Sequence, residues 1–251
     1  MVLDLSGKRA LVTGSSRGIG LAIAETLCAE GCRLAVNARN AEGLQSCASE
    51  IGAAVAIVGD MTDAVEASRV VDEAVLALGG LDILICNVGS GRSVPPGDET
   101  YEEWQRVFAL NLWSTTNTVK AASEALAASR GVIVCVSSIC GLEVVPSAPV
   151  TYSAAKAALN AYVRGIARPL GKQGIRINAV APGNILFDDS VWSRKLAEDA
   201  GALQTMLERN VALARLGTPG DVAELVVYLA SARAGFATGS VWTLDGGQVH
   251  S

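Results

Sequence analysis

The 251 residues carry 20 Lys+Arg against 25 Asp+Glu, a formal net charge of -5, and are 50% hydrophobic and 18% charged. Such a chain can bury a sizeable core, which excludes intrinsic disorder, and it lacks the global basic field of a nucleic-acid or anionic-membrane binder. No apolar run approaches the roughly 18–20 residues of a spanning helix, and Asp4, Lys8 and Arg9 break any secretory signal, so no membrane partner and a cytoplasmic location are expected.

In chain order, a first strand is predicted at residues 9–13 and a helix at 18–30, then a strand at 33–37, a helix at 41–51 and a strand at 54–58. Asp63 with Glu66 forms a capping-box pattern opening the next helix, and a fourth strand follows at 83–86. Thr100 with Glu103 marks another helix start; that helix runs to about residue 128 with a break. A strand at 132–136, a helix at 151–171 in which Pro169 should cause a bend or an early end, and a strand at 176–180 come next. Residues 184–210 read as irregular and then helical, Pro219 opens a helix to about residue 229, and 241–244 is the last strand.

Strands that are apolar throughout, alternating with helices, predict an α/β fold: a Rossmann-type doubly wound parallel sheet of about seven strands with helices on both faces. No linker or repeat divides the chain, so 1–251 reads as one domain with a substrate loop at about 184–210. Segments 89–98 and 184–210 look like insertions at strand carboxyl ends, where ligands bind in such sheets.

The six cysteines contain no CxxC pair and read as buried reduced thiols, and the single histidine is His250. No metal site is therefore expected, and a Ser-His-Asp triad would need His250 to fold back.

The first strand ends in Thr13-Gly14-Ser15-Ser16-Arg17-Gly18-Ile19-Gly20. Gly14, Gly18 and Gly20 permit a tight turn that brings backbone close to a pyrophosphate at a helix N-terminus. No Gly-Lys-Ser/Thr follows, which excludes a Walker A loop. After the second strand, the place where an acidic residue would favour NAD holds Ala38, followed by Arg39. Arg39 and Arg17 could clamp a 2′-phosphate, so NADP(H) is preferred with NAD(H) still open. Met61 follows the third strand and could pack on the adenine.

Tyr152 and Lys156 are four apart on a predicted helix and share one face. A free phenol has a pKa of about 10; lowering it by roughly 3 units needs about 4 kcal/mol of extra phenolate stabilisation. A neighbouring ammonium in a partly dry site, with an oxidised nicotinamide, can supply it. Tyr152 would then be general acid in reduction and base in oxidation.

These residues together resemble the short-chain dehydrogenase/reductase family over the whole chain. The glycine turn is similar to that family's TGxxxGIG motif, Asn87-Val88-Gly89 to its NAG, and Tyr152 with Lys156 to its YxxxK. Asn111, Ser138 and Pro182-Gly183 stand where the family has its helix asparagine, catalytic serine and PG. The resemblance implies catalysis by Asn111, Ser138, Tyr152 and Lys156, with Ser138 holding the substrate oxygen, Lys156 on the nicotinamide ribose and Asn111 holding a relay water. It adds Ser16, Ile19, Asn87, Gly89, Pro182, Gly183 and Ile185 to the cofactor site, puts Asp60 in the family's adenine-contacting position, and implies a homotetramer or homodimer. Val88 departs from the family's alanine, and Ile185 stands in a segment without its usual threonine. Candidate substrate walls are Ser90, Val144, Val145, Phe187 and Trp192. Arg130 and Lys172 are compared with basic sites by which 3-oxoacyl-carrier-protein reductases dock their partner. The expected activity is carbonyl–alcohol interconversion on a small-molecule substrate, 3-oxoacyl reductase-like or on another apolar carbonyl. The alternatives are a silent NADP sensor, an NAD-dependent sugar, steroid or polyol dehydrogenase, and a sugar-nucleotide epimerase, whose larger C-terminal domain this chain lacks room for.

Overall fold

The computed structural model describes residues 2–146 and 148–249. Seven strands form one parallel sheet in the order β3-β2-β1-β4-β5-β6-β7. They are β1 (Arg9–Thr13), β2 (Arg33–Ala38), β3 (Val55–Val58), β4 (Ile83–Cys86), β5 (Val132–Val136), β6 (Arg176–Pro182) and β7 (Val241–Leu244). Alternate residues of each central strand feed two separate cores: Ala10, Val12, Ile83 and Ile85 on one face, Leu11, Leu84 and Cys86 on the other. Burial on both faces is why these strands show no polar alternation.

The first face is covered by α1 (Gly18–Ala29), α2 (Ala41–Ile51) and α9 (Pro219–Ala230). The second is covered by α3 (Ala64–Leu78), α5 (Ser114–Ser129) and α6 (Val150–Gly171). A smaller apolar cluster of Leu203, Leu207 and Val211 with Trp192 closes the segment after β6, which holds α7 (Val191–Glu198) and α8 (Ala200–Asn210). Among the described residues no helix is long and apolar enough to cross a membrane.

The expected break after Thr100 is a π-helical turn, Ala109–Trp113, between α4 (Tyr101–Phe108) and α5. Two expectations are corrected. Asp63 does cap α3, accepting from the Val65 and Glu66 amides, but Glu66 does not reach back; Arg69 holds its carboxylate at 2.7 Å. A charged donor binds a carboxylate more strongly than an amide does. Pro169 does not stop α6, which continues to Gly171. The residue whose carbonyl loses its donor, Gly165, is exposed, so water can replace the bond.

The strand order reverses between β1 and β4, and the carboxyl ends of β1 to β6 face one crevice there.

Candidate active site

The glycine turn is held open by hydroxyls. Thr13, buried at the end of β1, donates to the Ile85 carbonyl at 3.1 Å and accepts from the Asn87 amide at 3.1 Å, tying β1 to β4. Ser15 bonds the backbone of Val12 and Asn37 at 3.1–3.2 Å, tying it to β2. Asn87 donates to the Thr13 and Gly14 carbonyls at 3.2 and 2.9 Å. Gly14 adopts φ +64 and any Cβ there would lie 3.3 Å from Val88; at Gly20 a Cβ would fall 2.2 Å from the Gly14 carbonyl oxygen. Side chains are thus excluded from the cradle where α1 begins, and backbone amides are left facing the crevice.

Two cavities of about 670 and about 400 Å³ open on either side of this turn and share Gly14, Arg17, Asn87 and Gly89, forming one cleft. The larger is lined by Ser16, Arg39, Asp60, Met61 and Val88. Arg39 lies 3.6 Å from Asp60, and Arg17 lies 3.7 Å from Asp189. Both pairs are solvent-exposed, which makes them weak and open to replacement by a competing anion. Burial pushes the Asp60 carboxyl up, but hydrogen bonds from Thr62 and the nearby Arg39 outweigh it, leaving Asp60 below the ordinary carboxylate range.

The smaller cavity is lined by Ser138, Tyr152 and Lys156, with Ile19, Pro182, Gly183 and Ile185 also on its walls. Ser138 follows β5 and is 7% exposed; Lys156 is 3% exposed and donates to the Val136 carbonyl at 2.8 Å. Its ammonium lies 5.9 Å from the centre of the Tyr152 ring. Burial pushes the Tyr152 phenol up to about 12, against the lowering effect of its hydrogen bond with Ser138. Burial pulls Lys156 down to about 8. The expected acidification of the phenol by Lys156 is therefore not a property of the protein alone: loss of water dominates both groups.

Asn111 sits in the π turn, fully buried and behind the cleft lining. Its amide donates to the Ser90 and Val107 carbonyls at 3.1 and 3.0 Å, and its oxygen accepts from the Ser90 amide at 3.0 Å. The widened turn frees the Val107 carbonyl for this bond. One lone pair of the side-chain oxygen remains for the expected water. Gly89 separates Asn111 from Lys156: a Cβ there would lie 2.9 Å from the Asn111 oxygen and 3.2 Å from the Lys156 nitrogen.

Of the expected substrate walls, Ser90, Val145, Phe187 and Trp192 line the smaller cavity. Val144 does not; it is 95% exposed, its side chain turned to solvent. Phe187 also covers the glycine turn, where a Cβ on Gly18 would meet its ring at 2.7 Å. Arg130 and Lys172 lie just before β5 and β6, at the amino edge of the sheet and across it from the cleft, so a partner docked on them faces away from Tyr152. His250 lies outside the described residues. The six cysteines are free thiols, four of them buried. Among the described residues no group of three His, Cys, Asp or Glu side chains is placed to hold a metal ion.

Sequence reasoning missed the supports of α6. Ser137 donates to the Asn160 side chain at 2.6 Å, and Asn160 donates to the Gly141 carbonyl at 3.0 Å. Thr151, fully buried beside Tyr152, bonds Ser93 at 2.6 Å, and Ser93 donates to Glu103 at 2.6 Å. The i, i+4, i+8 spacing of Tyr152, Lys156 and Asn160 is the signal that could have found Asn160.

The site fits a nicotinamide dinucleotide. The cradle accepts backbone-bound phosphate, and the buried Asn184 side chain in the smaller cavity leaves its amide nitrogen without a partner.

A family model described as enoyl-(acyl carrier protein) reductase matches residues 14–249. The 3-oxoacyl-[acyl-carrier-protein] reductase of Escherichia coli K12 is 34% identical over 249 residues, covering 98% of both chains. L-sorbose reductase of Gluconobacter frateurii, solved with NADPH and L-sorbose, is 30% identical with a TM-score of 0.91 and covers 100% of both chains. A 7α-hydroxysteroid dehydrogenase solved with NADH and 7-oxo glycochenodeoxycholic acid is 30% identical with a TM-score of 0.90, over 100% of this chain and 97% of that one.

Proposed function

The chain belongs to the short-chain dehydrogenase/reductase family, and from that premise we propose that it interconverts a carbonyl and a secondary alcohol with NADP(H), using Tyr152 as the proton carrier. The observation that carries this reading is the placement of Tyr152, Lys156 and Ser138 in one cavity continuous with the glycine cradle. When bound, the cofactor supplies the hydride and, once oxidised, a positive charge beside the phenol.

Ser138 holds the substrate oxygen and Tyr152 gives it a proton in reduction. A phenol held near 12 is fully protonated at neutral pH, which suits this direction. In oxidation the same phenol must lose a proton, and burial makes that costly until cationic charge arrives. Lys156 offers its ammonium to the nicotinamide ribose and to this electrostatic balance. Asn111 fixes Ser90 and Gly89 beside Lys156 and serves the proton relay. Arg17 and Arg39 exchange Asp189 and Asp60 for a 2′-phosphate, which favours NADP(H) over NAD(H).

Free thiols support a reducing, cytoplasmic setting. The chain is read as a homotetramer or homodimer; β7 ends the sheet with Trp242 37% exposed and Phe236 fully exposed, an edge that association would cover.

Tyr152→Phe tests the reading. Reduction should fall by a factor of about 10²–10⁴ while NADPH binding, followed by fluorescence titration, is unchanged. The same titration should favour NADPH over NADH in both proteins. Wild-type turnover in the variant would end the proposal.

A further inference from the structure

Seven charged or titratable side chains line the substrate cavity: Arg17, Arg92, Cys140, Tyr152, Lys156, Asp189 and Lys195. The only carboxylate among them, Asp189, faces Arg17 at 3.7 Å. Lys156 is committed to the cavity floor, where it bonds the Val136 carbonyl. Arg92 and Lys195 remain, and neither pairs with a carboxylate among the described residues. A chain of net charge -5 thus places two unneutralised cations at this mouth.

Both cations are held in place by contacts of their own. Arg92 follows Gly91, where an added Cβ would lie 3.8 Å from the Tyr152 ring. Its own carbonyl accepts from Arg106 at 3.0 Å, its amide donates to the Ser90 hydroxyl at 3.1 Å, and its guanidinium reaches the Asp189 carbonyl at 3.4 Å. Lys195, on α7, lies over the Trp192 ring at 4.6 Å, so its ammonium is held against an apolar wall. A guanidinium and an ammonium that line one cavity with Tyr152, neither neutralised by a carboxylate, can together receive an oxyanion.

We propose that the substrate is an anionic carbonyl compound, whose carboxylate or phosphate is received by Arg92 and Lys195 while its carbonyl lies at Tyr152. This rests on the redox reading of the site, and it narrows the substrate class to acids and away from neutral apolar ketones.

The test uses the protein with its cofactor, NADP⁺ for binding and NADPH for turnover, and matched probes: 4-oxopentanoate against its methyl ester, and dihydroxyacetone phosphate against dihydroxyacetone. Binding is read from quenching of tryptophan fluorescence, and turnover from NADPH consumption. The anionic member of at least one pair should bind at least tenfold more tightly than its neutral partner, and which pair does so separates carboxylate from phosphate. Arg92→Gln and Lys195→Gln should each reduce that preference several-fold, Lys195→Gln with NADPH affinity unchanged. Arg92→Glu with Lys195→Glu should invert it. Equal binding of acid and neutral partner in both pairs, or a preference unmoved by the double variant, would overturn the proposal. Reduction of neutral probes without acid preference would leave the redox reading standing and remove the anion site. Tight binding of an acid with no carbonyl reduced would do the reverse.

Discussion

The floor and the rim of the cleft are built by opposite means. On the floor, Lys156 and Asn111 are at most 3% exposed, and their polar groups are bonded to backbone before any ligand arrives. On the rim, Arg17, Arg39 and their carboxylate partners are 39–79% exposed and paired only at 3.6–3.7 Å. The floor is preorganised and its charges carry a desolvation cost; the rim is screened by water and its charges can change partners cheaply. A site of this kind holds its chemistry still and lets its selectivity move.

The largest test of this contrast is Gly141→Ala. Gly141 packs on the catalytic helix, and a Cβ would fall 2.6 Å from the Lys156 carbonyl carbon and 2.8 Å from the Ala157 nitrogen. Neither backbone atom can step aside, so α6 must shift. Turnover should drop by about 10²-fold, with NADPH affinity changed far less. Steady-state kinetics beside a cofactor titration would check it, and an unaltered kcat would mean that the floor is softer than its packing implies.

Lys156→Met measures what the floor costs. The folded value of about 8 lies below the ordinary lysine value, so folding opposes the charged form. Below pH 8 both states are protonated and the folded chain bears the full penalty. Between about pH 8 and 10.4 the unfolded chain keeps the proton that the folded chain has released, so wild-type stability rises with pH. The variant should lose activity yet gain about 1–2 kcal/mol at pH 7, a gain that vanishes towards pH 10.5 in urea melts. A variant no more stable than wild type at pH 7 would contradict this account.

The smallest effect belongs to the rim. Asp189 adopts φ +60, a conformation asparagine tolerates, so Asp189→Asn should leave the loop intact and release Arg17. NADPH should then bind about two- to threefold more tightly and NADH no differently, as expected for the loss of an exposed ion pair. Equal gains for both cofactors in isothermal titration would place Arg17 away from the 2′-phosphate.

The strand order of chemistry was legible because its signals are local. Glycine spacing after β1, apolar strand runs and the four-residue interval of Tyr152 and Lys156 follow from backbone geometry within a few residues. Ser93, Thr151 and Glu103 were not legible, since ten residues separate Ser93 from Glu103 and 58 separate it from Thr151. Val144 was misjudged for a related reason: beside Val145 it looks equivalent in composition, but only the latter turns into the cavity.

By itself the sequence determined the parallel sheet, the glycine turn after β1 and the shared helix face of Tyr152 and Lys156, because periodicity and close spacing act through the chain's own covalent geometry. Only the tertiary structure decided that burial sets the free phenol near 12 and the lysine near 8, that Asn111 is tied to Ser90 and Val107, and that Arg92 and Lys195 share one mouth. Those outcomes depend on desolvation and on contacts between distant segments, which exist only once the segments have packed.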